Sequence, residues 1–151
     1  MKKSILTMLV LAVVSLFSND LFAQNFISLD KSPMDVATFP SSHRESSKLV
    51  KVSYCRPFLK GRSVSSLAPN GKVWRTGANE AVEIRFYKDV VFGGEKIEKG
   101  IYTLFTIPGE KDWIFILSSD HNVWGAFSYN IKNDVVRVKA KVSKNDKKLE
   151  N

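Results

Sequence analysis

Two runs near the middle of the chain leave little freedom in how it folds. Ile101-Tyr102-Thr103-Leu104-Phe105-Thr106-Ile107 is rich in β-branched and aromatic residues and is largely apolar on both alternating faces, which suits a central strand covered on both sides. Trp113-Ile114-Phe115-Ile116-Leu117 is almost continuously apolar and of strand length, so it belongs mostly in the interior. Pro108-Gly109-Glu110-Lys111 joins the two as a hairpin connection.

The flanking segments are also short and strand-like. Leu49 to Tyr54 is a strand with Val50, Val52 and Tyr54 on one face, ended by Pro57. Val82 to Tyr87 alternates apolar and charged residues, placing Glu83 on the exposed side. Val90-Val91-Phe92 follows a turn at Asp89 and meets a tight reversal at Gly93-Gly94. Trp124 to Phe127 reads as short and extended. Val136 to Val142 turns Val136, Val138, Ala140 and Val142 inward and its arginine and lysines to water. Phe58 to Pro69 reads as a loop with one helical turn.

The expected fold class is therefore all-β, an antiparallel β-sandwich or partly open barrel over residues 48–142. Residues 24–47 form an N-terminal loop with a candidate edge strand near Asp35 to Phe39. Residues 143–151 form a charged tail expected to be disordered.

The first 23 residues stand apart. Lys2 and Lys3 precede an apolar run from Ile5 to Phe17, and Leu21-Phe22-Ala23 ends in a small residue. This is the pattern of a cleaved signal peptide, and the run is too short for a comfortable membrane span. Cleavage after Ala23 would leave Gln24 first, with no transmembrane segment, in a periplasmic or secreted protein. The chain carries a formal charge of +8, and +7 once Lys2, Lys3 and Asp20 leave. Exported proteins rarely meet nucleic acid, so the basic balance points to a solvated tail, or else to acidic glycans or anionic lipid head groups. Cys55 is the one cysteine, so no internal disulfide forms; it is expected half-buried near a strand end.

Chemistry is concentrated in Asn70 to Ala81, where Trp74, Arg75, Asn79 and Glu80 share a turn-rich connection. It either presents polar groups at the rim of a sheet or serves as a corner, with Trp74 plugging the core and Arg75 paired to a carboxylate, Glu80 being nearest. A buried arginine requires such a partner. Glu80 and Glu83 beside Trp74 resemble the paired carboxylates of glycoside cleavage, which makes Glu80 a weak catalytic candidate. His121 beside Asp120 reads as an exposed turn histidine. No His-Glu-x-x-His, Cys-x-x-Cys, acidic calcium loop or Gly-x-Ser-x-Gly occurs, so neither metal nor cofactor is expected.

Lys51 to Pro57 with Lys60-Gly61-Arg62, Lys72 to Ala81, Gly100 to Gly109 and Trp124 to Phe127 appear in an order that resembles the domain of unknown function 2911 family, found in exported proteins of Bacteroidetes-type bacteria. The resemblance covers about Ser32 to Val142. It implies candidate ligand-binding residues Tyr54, Arg56, Lys60, Arg62, Trp74, Arg75, Asn79, Glu80 and Trp124, and no biochemical role. Cys55 stands where the family usually has serine. The chain also stops after one lysine-rich strand where family members usually continue, so either it is short or another surface covers that edge.

Three functions follow as expectations. The first is a non-catalytic exported domain of the cell envelope that binds a ligand, an envelope glycan or a protein partner, at the Trp74–Glu80 corner. The second is a glycan hydrolase using Glu80. The third is an assembly subunit that associates weakly through an open sheet edge.

Overall fold

The computed structural model describes residues 27–143, 145–147 and 149–151. The expected signal peptide, residues 1–23, lies outside them. Among the described residues no helix is long and apolar enough to cross a membrane.

The strands are β1 (Met34–Phe39), β2 (Val50–Cys55), β3 (Ala78–Phe86), β4 (Val90–Phe92), β5 (Glu95–Ile97), β6 (Gly100–Ile107), β7 (Asp112–Ser118) and β8 (Asp134–Lys141). A single turn of helix, α1 (Val64–Leu67), interrupts the loop after β2, capped by Ser63, whose Oγ accepts from the Ser66 N–H at 3.2 Å. Six strands form one antiparallel sheet in the order β1-β2-β3-β6-β7-β8, and β4 pairs with β5 in a separate two-stranded sheet. The expected all-β antiparallel architecture is present in its open form, not closed into a barrel.

The apolar hairpin lies where its composition requires, at the centre, with β3 beside β6 and β8 beside β7. Register aligns Val82, Leu104, Leu117 and Val136 in one row across four strands. On this face Ile84, Phe86, Leu117 and Val136 pack with Ile97 of the β4–β5 hairpin, and Val90 and Phe92 close over them. The hairpin tip reaches β8, because Gly93 lies directly against Val138. The other face buries Thr103, Phe105, Ile116 and Ser118 beneath the connection after β7. There Thr103 Oγ1 donates to the Asp120 carbonyl at 2.6 Å, and the Phe105 and Tyr129 rings meet edge-on at 5.1 Å.

Several local expectations change. Val136 is buried and Val138 half-buried, but Ala140 and Val142 are exposed, since the covering hairpin ends at Val138. The Trp124–Phe127 segment is extended only at Trp124, which bridges to Glu80; turns follow. The candidate strand near Asp35 is β1, an edge strand from Met34 to Phe39. At the chain end Glu150 lies beside the loop after β2. Its carbonyl accepts from the Leu59 N–H at 2.9 Å and its carboxylate from the Lys60 N–H at 2.7 Å.

Candidate functional site

The corner before β3 arises from an interruption in the β3–β6 ladder. Trp74 exchanges two backbone bonds with Thr106 at 2.7 and 2.9 Å, and pairing resumes at Val82 opposite Leu104. Residues 75–81 therefore stand opposite the single residue Phe105 and loop outward from the sheet. The excursion is held on both sides. Ala78 pairs with Cys55 of β2, while the Ala81 N–H donates to the Val123 carbonyl at 2.8 Å and the Gly125 N–H to the Asn79 carbonyl at 3.1 Å.

The backbone of this excursion is strained. Thr76 (φ 64°) and Asn79 (φ 53°) are both left-handed. Asparagine tolerates that region, but a β-branched residue there is an outlier and costs on the order of 1–3 kcal/mol. Thr76 is anchored by its hydroxyl, which donates to the Leu104 carbonyl at 3.0 Å. Gly77 lies so close to β2 that a Cβ would sit 3.0 Å from the Cys55 carbonyl oxygen. The corner is thus rigidly set by a conformation that local propensity opposes.

Two clefts flank it. The first, of about 190 Å³, is lined by the loop after β2 (Pro57, Phe58, Lys60, Arg62) and by Trp74, Arg75 and Asn79. The second, of about 210 Å³, lies across the excursion and includes Tyr54, Cys55, Glu80, Glu83, Thr103 and Asn122. Five of the nine sequence candidates, Lys60, Arg62, Trp74, Arg75 and Asn79, meet in the first cleft. Tyr54 and Glu80 belong to the second. Arg56 is drawn away to Asp35, bonding its Oδ2 through Nε at 2.9 Å and through Nη2. That guanidinium, first of all, holds the Asp35 carboxyl below its ordinary range. Trp124 is exposed and stacks on Phe127 with ring centroids 5.8 Å apart; it lines neither cleft.

The expected Arg75–Glu80 pair does not form. Glu80 is exposed and its Oε2 accepts from the Cys55 thiol at 3.2 Å. Arg75 Nε is buried and has no hydrogen-bond partner among the described residues. The reason is the left-handed turn at Thr76 and the pairing of Ala78 with Cys55, which leave Arg75 in the first cleft and Glu80 in the second. Without a carboxylate partner the effect of mutation changes sign. Arg75→Met keeps the aliphatic stem and removes a desolvated, unsatisfied donor, a feature that costs about 1–3 kcal/mol. It is expected to leave the melting temperature unchanged or raise it. A loss of more than about 2 kcal/mol in chemical denaturation would reveal a carboxylate partner and contradict this reading.

The second cleft contains one residue that alternation misplaced, Glu83, and the lone cysteine. Glu83 is half-buried, facing Thr103 and Ser53 across the sheet beneath the connection after β7, so it is not a freely exposed strand residue. Cys55 is buried at the end of β2. Burial first, then the hydrogen bond and charge of Glu80, push its thiol above the ordinary range. A raised pKa means the stabilising effect of keeping this thiol protonated is present below the unfolded thiol's pKa and is lost as pH rises through the folded one. Alkylation by iodoacetamide should be slow at pH 8 and accelerate only at higher pH. Glu80→Gln should shift that profile to lower pH, and an unshifted profile would exclude Glu80 as a cause.

Among the described residues no group of three or more His, Cys, Asp or Glu side chains is arranged to hold a metal ion. The lining residues that sequence reading passed over, such as Phe58 and Asn122, come together only through chain reversals with no local pattern.

Fold and site define an open, all-β domain with a six-stranded antiparallel sheet and a basic cleft beside a strained strand excursion. A family model described as protein of unknown function (DUF2911) matches residues 32–151, and the chain belongs to that family. No curated protein and no solved structure matches the chain.

Proposed function

We propose that the protein is an exported, non-catalytic domain of the cell envelope, periplasmic or secreted, that binds a ligand in the cleft between the loop after β2 and the Trp74–Asn79 corner. The observation that carries this reading is Arg75, whose Nε is buried without a partner among the described residues while its residue lines an open cleft. Arg75 is half-buried and forms no ion pair among the described residues, so an anionic group supplied from outside would stabilise it. The strained backbone at Thr76 and Asn79 supports the same reading, since such conformations cluster at ligand-binding positions. The basic n-region, apolar run and Ala23 support export.

A panel of envelope glycans titrated into the purified protein tests the binding, with amide shifts followed at residues 57–62 and 74–79. Shifts confined to those residues are the expected result. Saturating glycans that move none of them would exclude the site. Product release by the wild type, lost in Glu80→Gln, would instead favour a hydrolase acting in the second cleft. The first residue of the exported form should be Gln24 or lie within a residue or two of it.

A second reading, assembly through a sheet edge, is favoured by one observation: among the described residues β8 has a single neighbour, β7. Arg137, Lys139 and Lys141 on that edge oppose indiscriminate pairing, so a specific partner or weak self-association is the form it takes. Strong hydrogen-exchange protection of both alternating amide sets of β8 in a dilute monomer would rule this out.

A further inference from the structure

The chemistry of the first cleft narrows the ligand class. Three cationic residues, Lys60, Arg62 and Arg75, line it, and no aspartate or glutamate is among its lining residues. None of the three forms an ion pair among the described residues, although Asp35, Asp112 and Asp134 all engage cations elsewhere. Arg62 is oriented in advance: its Nε and Nη2 donate to the Leu59 and Phe58 carbonyls, each at 2.9 Å. Of five guanidinium N–H groups this leaves the remainder uncommitted, in a planar fork suited to two parallel oxygen contacts. Two carboxylates touch the rim without reaching the guanidiniums. Asp30 accepts from Asn79 Nδ2 at 3.0 Å, and Glu150 accepts from the Lys60 N–H at 2.7 Å. The second of these is a carboxylate of the chain itself resting on the cleft's edge.

We propose that this cleft is an oxyanion site, which takes the carboxylate, sulfate or phosphate group of an acidic saccharide between Arg75 and Arg62. This rests on the ligand-binding reading and deepens it. At about 190 Å³ the space falls below that of pockets for drug-sized ligands, so it receives one charged group and the atoms that carry it. Lys60 adds a mobile point charge, whereas the two arginines supply geometry. The order of importance follows from solvation. Half-buried Arg75 gains most from an oxygen partner, because exposed Lys60 already has water.

Isothermal titration with glucuronate, inorganic sulfate, inorganic phosphate and glucose decides the matter. Binding of at least one anion, at least tenfold tighter than glucose and weakening as salt is raised, is expected. Glucuronate against sulfate and phosphate distinguishes a planar from a tetrahedral group, and either preference supports the site. Arg75→Met should weaken that anion tenfold or more, and Arg75→Lys should restore little of it. Exposed Arg62→Met should weaken it likewise, which guards against a misfolded Arg75 variant. Glucose binding as tightly as every anion would overturn the oxyanion proposal and leave the ligand site standing. Anion affinity unchanged in both arginine variants, or no anion binding at all, would overturn it as well. If a neutral envelope glycan still shifts residues 57–62 and 74–79, the broader reading survives that failure; if none does, both fall.

Discussion

Phe105→Ala is expected to lower the stability of the domain by about 3–5 kcal/mol, read as a fall in the denaturant midpoint at unchanged slope. Phe105 is fully buried and meets Tyr129 edge-on. It is also the one residue of β6 that the outward excursion of residues 75–81 leaves without a backbone partner on that side. Its ring stands out of the sheet plane and packs against Tyr129 of the connection after β7. Removing it creates a cavity that the flanking pairs Trp74–Thr106 and Val82–Leu104 hold open, so the site cannot collapse to recover the loss. Phe105→Leu should retain more than half of the stability. A cost below about 1 kcal/mol for the alanine variant would mean that the connection after β7 is not packed on this face.

Gly93→Ala is expected to cost about 3 kcal/mol, from overpacking and from a left-handed backbone. Gly93 has φ 61°, and a Cβ there would overlap the Val138 side chain. Gly94, with φ 98°, has open space around its missing Cβ, so Gly94→Ala suffers from conformation alone and should cost less. This difference isolates the contact between the β4–β5 hairpin and β8. Val138→Ala removes both methyl groups in the way, and the double variant Gly93→Ala/Val138→Ala should be more stable than the sum of the single losses predicts. Strict additivity would show that the hairpin tip does not rest on Val138 in solution.

Much of the sheet was legible because strand identity is a local property. The apolar runs 101–107 and 113–117 have no solvent-compatible face, so the centre of the sheet followed from composition. Pro108-Gly109 and Gly93-Gly94 marked reversals because only certain residues occupy such turns readily. The edge strand near Asp35 was less distinct, since an edge exposed on one side carries a weaker pattern. Ala140 and Val142 were misjudged because alternation identifies a face without saying how far its cover extends.

The site divides along the same line. The family resemblance drew Lys60, Arg62, Trp74, Arg75 and Asn79 into a wider candidate set, and these five line one cleft. The sequence by itself also determined the chemical character of that set, cationic and aromatic, because side-chain type does not depend on context. Only the tertiary structure decided the pairing. Glu80, five residues from Arg75, faces Cys55 across the excursion, whereas Arg62, thirteen residues away, shares its cleft. The left-handed turn at Thr76 and the Ala78–Cys55 contact send neighbours in sequence to opposite sides. Neither is encoded by periodicity, because both depend on hydrogen bonds to β6 and β2 that exist only once the sheet has formed.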